Sequence, residues 1–223
     1  MGQDHTVHLW DVSSRKPISP PIMPVPDVSD ADGRVDTVGF SPDGTLIAVA
    51  TLDYRIRFYE VATGRPAGRP LSIPSDAQMT TFGPDGRTVI VREGAIMSLW
   101  DRVTGRRMRT VPAKADLLAL GGDLLATYHG GEIRLWQSTS LRPLGGPIRS
   151  GKIDMLAVSL DDSTLATAAD RSVHYWDVRT HRLTGTTVTG HRDTITSLGF
   201  TTDGTRLWTR AGDNARSCRR RRS

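Results

Sequence analysis

An aromatic residue followed by an acid or an amide recurs five times along the chain: VHLWDV (Trp10, Asp11), IRFYEV (Tyr59, Glu60), MSLWDR (Trp100, Asp101), IRLWQS (Trp136, Gln137) and VHYWDV (Trp176, Asp177). Successive aromatics are 49, 41, 36 and 40 residues apart. Self-similarity at a period near forty restricts the chain to arrays in which each repeat is one supersecondary unit, burying its apolar surface on its neighbours.

Upstream of several aromatics lies a second element: FSPDG at Phe40 to Gly44, FGPDG at Phe82 to Gly86, FTTDG at Phe200 to Gly204, and a worn VSLDD at Val158 to Asp162. Pro brings the second position of a type I turn close to its required φ, and Gly takes the fourth without steric cost. Between turn and aromatic run short segments such as TLIAVA (Thr45 to Ala50) and RIRFYEV (Arg55 to Val61), read as strands with one apolar face. Helical periodicity is absent. Downstream comes another turn, VATGR, RVTGR or VRTHR, in which Gly64 and Gly105 suit a left-handed position.

Prolines then recur four apart: Pro17 and Pro21, Pro66 and Pro70, Pro143 and Pro147. Residues four apart on a strand point their amides the same way, so the spacing fits an outermost strand with one free edge. The same rule explains KPISPPIMPVP better than a proline-rich ligand motif does. Each repeat therefore reads as four antiparallel strands, one propeller blade. The predicted fold class is all-β: a β-propeller with four complete blades and two half blades.

These residues resemble the WD-repeat (WD40) family. The likeness covers nearly all of residues 1 to 214 and is most specific at the Trp-Asp pairs and at TGHRDTITSLGFTTDG (Thr189 to Gly204), which carries a Gly-His. The resemblance implies a buried hydrogen-bonded set in each blade, built from a His, a Ser or Thr, a turn Asp and the Trp. Carried over residue by residue, the structural positions are the turn acids Asp4, Asp53, Asp170 and Asp213, the aromatics Trp10, Tyr59, Trp100, Trp136 and Trp176, and His191. No repeat is complete: Gly130 stands at the Asp position before Trp136, and Tyr59 replaces a Trp.

Both ends depart from the pattern. The chain opens in mid-blade, and after Asp213 the expected aromatic falls at Arg219, within NARSCRRRRS. Residues 215–223 are accordingly expected to be an Arg-rich, disordered tail outside the 1–214 propeller, as in a truncated or frame-shifted copy of a longer array. The two C-terminal strands (about 195–200 and 206–210) and the two N-terminal strands could share a blade and close a ring of five. The alternative is an open arc whose unpaired faces and edges favour self-association.

Charge and composition narrow the functional classes. Of the net charge of +5, Arg216, Arg219, Arg220, Arg221 and Arg222 supply all, so the remaining 24 basic and 24 acidic residues balance and give the repeats no general attraction to phosphate. The single cysteine, Cys218, allows no intrachain disulfide. With no apolar run long enough to span a bilayer and no signal-like start, the expectation is a cytoplasmic protein without membrane attachment.

Catalytic and metal signatures are poor. His191, Arg192 and Asp193 spell the beginning of a kinase catalytic loop, but Leu198 stands where its Asn belongs. The acidic stretch Asp27 to Asp36 lacks the first and last carboxylates of a calcium loop, and the six histidines form no zinc-like pair. No catalytic residue, metal, cofactor or small-molecule substrate is assigned.

The family's usual task is docking of proteins or peptides. The rim it uses, transferred here, would expose Tyr54, Arg55, His129, Arg171 and Arg192, residue types suited to an acidic or phosphorylated partner. The usage of 26 Arg against 3 Lys is similar to propellers of bacteria with GC-rich genomes, which implies a scaffold or sensing module of a larger signalling chain. The alternatives are a non-functional fragment of such a chain and nucleic-acid binding through the Arg-rich tail.

Overall fold

The computed structural model describes residues 6–24, 34–75, 77, 79–188, 190–212 and 214–219, the last six and 187–188 by backbone alone. Among the described residues every regular element is a β-strand. The first sheet joins β1 (Val35–Phe40), β2 (Leu46–Thr51), β3 (Arg55–Glu60) and β4 (Leu71–Ser72) in sequence order; the second joins β5 (Met79–Phe82), β6 (Thr88–Glu93), β7 (Ile96–Asp101) and β8 (Arg107–Pro112) likewise. In the third, β9 (Leu117–Leu120), β10 (Leu124–His129) and β11 (Glu132–Gln137) are followed by an outer strand in two pieces, β12 (Arg142–Pro143) and β13 (Ile148–Arg149). The fourth contains β14 (Met155–Val158), β15 (Thr164–Ala169), β16 (Ser172–Asp177) and β17 (Arg182–Val188), and the fifth β18 (Ile195–Phe200), β19 (Arg206–Ala211) and β20 (Asn214–Arg219). All pairings are antiparallel, and the four-stranded sheets are the blades that the repeat pattern predicts.

The chain divides into two compact units, Met1–Ala113 and Lys114–Ser223. In the first, the segments bridged at Val7↔Ile22 and Trp10↔Pro17 place Leu9 and Ile22 against Ile47, Val49 and Tyr59 of the first sheet. The opposite face of that sheet, with Ala48, Ala50, Ile56 and Phe58, packs on Phe82, Val89, Val91 and Trp100. Phe58 and Phe82 meet edge to face at 5.8 Å. In the second unit Leu124, Ala126, Ile133 and Leu135 pack with Val158 and Leu165, while Ala166, Ala168 and Val173 pack with Ile195 and Leu207.

Both faces of the second strand in a blade are thus buried, as in β2, where five consecutive residues from Ile47 to Thr51 are inaccessible. This corrects the expectation of one apolar face: LIAVAT is a nearly continuous apolar run because the first sheet is covered on both faces. At the position of Ala48, Ile90, Ala126 and Ala166, β19 carries Trp208, 39% exposed, whose indole lies so close to Gly199 that a Cβ there would meet it at 2.6 Å.

The outer strands obey the proline rule. Pro17, Pro66 and Pro143 sit opposite Trp10, Tyr59 and Trp136, while the residues after them donate inward, Ile18 to Leu9 O, Ala67 to Phe58 O and Leu144 to Leu135 O. The proline nitrogens therefore face away from the sheet, where no hydrogen bond is lost. Blades with the paired prolines have fragmentary outer strands of two residues, whereas β8, whose one proline is its last residue, and β17 have six and seven.

The C-terminal expectations need revision. The shared blade required the N-terminal strand to lie beside β19; instead β19 pairs with β18 on one edge and β20 on the other. The backbone of residues 215–219, read from sequence as part of a tail, continues the fifth sheet. Register also moves the aromatic's place: Leu125 faces Trp136, Leu165 faces Trp176, and Leu207 faces Cys218, one residue before the Arg219 position expected from counting. The miscount arose because hairpin lengths differ, two residues after Ala211 but three after Thr51.

Turn chemistry accounts for the first hairpin of each blade. Gly44, Gly86 and Gly204 donate back to residues three earlier at 2.8–3.0 Å, with φ of 61° to 70°. Asp162 occupies the same corner at φ 55° in the worn copy, and its carboxylate has a task a glycine could not perform. It crosses to the third sheet and accepts the amides of Gly122 (2.8 Å), Asp123 (2.6 Å) and Leu124 (3.2 Å), completing a shortened turn that has no acid of its own in the usual place. Close approach demands glycine there: a Cβ on Gly121 would fall 2.5 Å from Asp162 Oδ1 and 2.6 Å from the Ser159 carbonyl. Gly121→Ala is expected to cost about 1–3 kcal/mol through this overlap, measurable as a lower midpoint in urea unfolding.

Candidate functional site

The polar side chains nearest each aromatic are engaged in structure. In the third sheet the Trp136 indole donates to Thr127 Oγ1 at 2.9 Å, and in the fourth Trp176 donates to Thr167 Oγ1 at 3.1 Å. Thr209 occupies the equivalent register position in β19 and pairs with buried His191 at 2.9 Å, Nε2 to Oγ1. The HRD-like triplet therefore begins with a core histidine. In the second sheet Trp100 donates to Ser98 Oγ at 2.8 Å, and Ser98 donates to Glu93 Oε1 at 2.7 Å. Sequence reading missed Thr127, Thr167, Thr209, Ser98 and Glu93; the signal was present as a Thr nine residues before two of the tryptophans.

The turn acids are placed as follows. Asp53 accepts hydrogen bonds from Thr51 and from the Arg57 guanidinium, which also donates to Thr51 Oγ1 at 2.7 Å. Burial pushes the Asp53 carboxyl upward, but the bonds from Arg57 and Thr51 outweigh it and hold the group below its ordinary value. Asp170 is mostly exposed; its carbonyl accepts Ile195 N–H at 2.8 Å, its carboxylate accepts Thr194 Oγ1 at 3.2 Å, and its amide donates to Asp154. What the hairpin position requires is a left-handed corner, taken by Asp170 at φ 52° and by Gly130 at 58° and Gly94 at 59°. Asp4 and Asp213 lie outside the described residues, as does most of the Asp27 to Asp36 stretch.

The acid or amide after each aromatic caps the next turn. Asp11 accepts Ser14 N–H, Asp101 accepts Val103 and Thr104 N–H, and Asp177 accepts Thr180 N–H, at 2.6–3.0 Å; Glu60 and Gln137 bond the hydroxyls of Thr63 and Ser140. Asp101 also holds Arg87 at 2.6 Å.

Of the rim residues expected from sequence, Tyr54 and Arg55 lie at the β2–β3 hairpin of the first unit. Tyr54 is 49% exposed and holds φ at 59°. In the second unit His129, Arg171 and Arg192 are exposed at the end of the sheets where the hairpins after β10 and β15 and the segment before β18 lie. Each has carboxylates close by: His129 Nδ1 is 2.9 Å from Asp116, and Arg171 is 3.8 Å from Asp170, with Asp193 next to Arg192 in the chain. This part of the rim carries both signs of charge. Among the described residues, no group of three His, Cys, Asp or Glu gathers as a metal site, and no helix is long and apolar enough to cross a membrane.

Residues 27–60 match the family described as WD domain, G-beta repeat (WD40). Part of the chain is similar to the Periodic tryptophan protein 2 homolog of Schizosaccharomyces pombe (strain 972 / ATCC 24843), 28% identical over 87 residues. That alignment covers 39% of this chain and 10% of the relative.

Two outcomes test the structural reading. Thr127→Val removes the acceptor of a buried indole N–H and is expected to cost about 1–3 kcal/mol by chemical denaturation. Hydrogen bonds from Ser41 and Thr45 bring Asp43 from 3.8 to about 2, those from Arg87 and the Thr104 amide do so for Asp101, and those from Thr201 and Thr205 for Asp203. A depressed carboxylate stabilises the fold above its ordinary pKa and loses that contribution as it becomes protonated. The melting temperature should therefore fall between about pH 4 and pH 2, and less steeply in the Asp43→Asn, Asp101→Asn, Asp203→Asn triple variant.

Proposed function

From a chain that carries a WD40 repeat and stacks four-stranded antiparallel blades, we propose a non-catalytic scaffold that docks a protein or peptide partner, working in the cytoplasm as a scaffold or sensing module of a signalling assembly. Docking falls to the hairpins before the aromatic strands and the segments leading into each blade's first strand, with Tyr54 and Arg55 as contact residues of the first unit and His129, Arg171 and Arg192 as those of the second. WD40 repeats in general serve protein interaction, and the near-balance of charge outside the C-terminal arginines favours a protein partner over nucleic acid.

The observation that carries this reading is Tyr54. A bulky residue in the left-handed region costs about 1–2 kcal/mol relative to ordinary backbone, and glycine, which other hairpins use there, would remove that cost. Half-exposed, the ring gains little from burial in return. Backbone strain retained under an exposed aromatic is characteristic of recognition surfaces. The mixed charges around His129, Arg171 and Arg192 suit a partner with polar groups of both signs more than a uniformly acidic one.

Tyr54→Gly separates recognition from folding. The variant is expected to keep its stability or gain up to about 1 kcal/mol, while losing the partner recovered by crosslinking and affinity capture with the wild-type chain. Unchanged capture by Tyr54→Gly and by the Arg55→Glu, Arg171→Glu, Arg192→Glu triple variant would remove the rim from consideration.

A further inference from the structure

The second sheet ends in an edge at a place where three other repeats carry proline. Aligned by register, the outer segments of three repeats present proline twice, opposite the aromatic (Pro17, Pro66, Pro143) and again four residues further on at Pro21, Pro70 and Pro147. Pro70 precedes Leu71, which pairs with Ile56, and Pro147 precedes Ile148, which pairs with Ile133. In the second sheet Val111 pairs with Met97, so the residue in that place is Thr110, and the residue opposite Trp100 is Arg107. Neither is a proline, and β8 runs unbroken for six residues.

Backbone alternation shows which way the amides of β8 point. Ala113 N–H donates inward to Ala95 O at 2.9 Å, so Val111 also faces β7 while Pro112 and Thr110 face outward. Thr110 therefore turns its N–H and carbonyl toward the free side. Among the described residues β8 pairs with β7 alone. Arg107, Met108, Arg109 and Thr110 are all exposed, Met108 at 56%.

Charge gives this edge a sign. Arg106, Arg107 and Arg109 lie within four consecutive residues, and among the described residues none has a carboxylate within 4.0 Å, in contrast to Arg57, Arg87, Arg134 and Arg171. The Arg107 guanidinium rests 5.7 Å from the Trp100 ring centroid, which fixes its stem against the sheet. The outer strand β17, which lacks the paired prolines too, differs in character: its own hydroxyls are used inward, Thr186 with His174 and Thr184 with the Tyr175 carbonyl.

We propose that the free edge of β8 binds an extended acidic segment of a partner protein as a fifth strand. Main-chain hydrogen bonds to Thr110 supply the strand pairing. Adjacent carboxylates on the incoming segment, which point to opposite faces, meet Arg107 on the Trp100 face and Arg109 on the Leu99 face, the register shift between Leu99 and Trp100 having separated the two arginines. This surface is separate from the rim and stands whether or not the rim docks a partner. Edge arginines also serve to repel unwanted strands, and the experiment separates the two roles.

The probe is a fluorescein-labelled seven-residue peptide with a central pair of adjacent glutamates flanked by valines, titrated against the full chain and read by anisotropy at low ionic strength. Binding is expected, with about tenfold or greater weakening for Thr110→Pro, for Arg107→Glu/Arg109→Glu, and for the same peptide N-methylated at every internal amide. Thr110→Pro places proline where three repeats already carry it, and the arginine pair is exposed. The methylated probe requires no variant, so one arm survives any folding failure. Hydrogen exchange should slow in β8 when the peptide is added. Equal binding of the methylated peptide would show charge attraction without strand addition and overturn the proposal, as would no binding of the acidic peptide. Self-association of the chain alone that disappears in Arg107→Glu/Arg109→Glu would assign the edge to a second copy and equally overturn it.

Discussion

A four-stranded sheet of about thirty residues has two faces and no interior, and every other feature of this chain follows from covering both. The second strand of each blade shows the constraint most clearly. Ile47, Val89, Leu125, Leu165 and Leu207 turn one way, while Ala48, Ile90, Ala126 and Ala166 turn the other, all almost inaccessible. Large residues on one side and mostly small ones on the other let adjacent blades approach closely. Burying a Leu or Ile side chain is worth roughly 1.5–3 kcal/mol, so a blade that lost its neighbour would forfeit several such contributions at once.

Burial on both faces raises a second demand: polar groups inside must be satisfied locally. Indole N–H groups find Thr or Ser hydroxyls, and where a repeat has no Thr at the usual place, Ser98 and Glu93 substitute. Turn amides find carboxylates two or three residues away. Arg57 and Asp53 show the more expensive solution, a half-buried ion pair made tolerable because Thr51 bonds both partners. Polar chemistry at the repeat positions is thereby committed to holding the sheets, leaving recognition to hairpin corners and outer edges.

Much of this was legible before any coordinates. The aromatic period set the blade, the PDG corners set the first hairpin, and paired prolines marked outer strands whose nitrogens turn outward. Three things were not legible, for physical reasons. LIAVAT reads as strand, but the burial of both its faces depends on what stacks on them. The place of Cys218 depends on hairpin length, which residue counting from Asp213 cannot supply. Glu93 lies outside the turn-acid spacing, and its bond to the Ser98 hydroxyl that accepts the Trp100 indole shows only in the folded chain. At the rim, Tyr54 and Arg55 were identifiable as hairpin residues, but the left-handed backbone of Tyr54 and the carboxylates beside His129 and Arg171 emerge only in three dimensions.

Asp162 carries one more implication. Because its carboxylate completes the turn of the preceding blade, the third and fourth repeats are not interchangeable parts: the third, transplanted beside a blade with glycine at that corner, would leave three amides uncapped. Gene duplication or recombination that moved one without the other would be penalised. Along this stretch of the array the structural unit is a pair of repeats, tied together by the residue that one holds for the other.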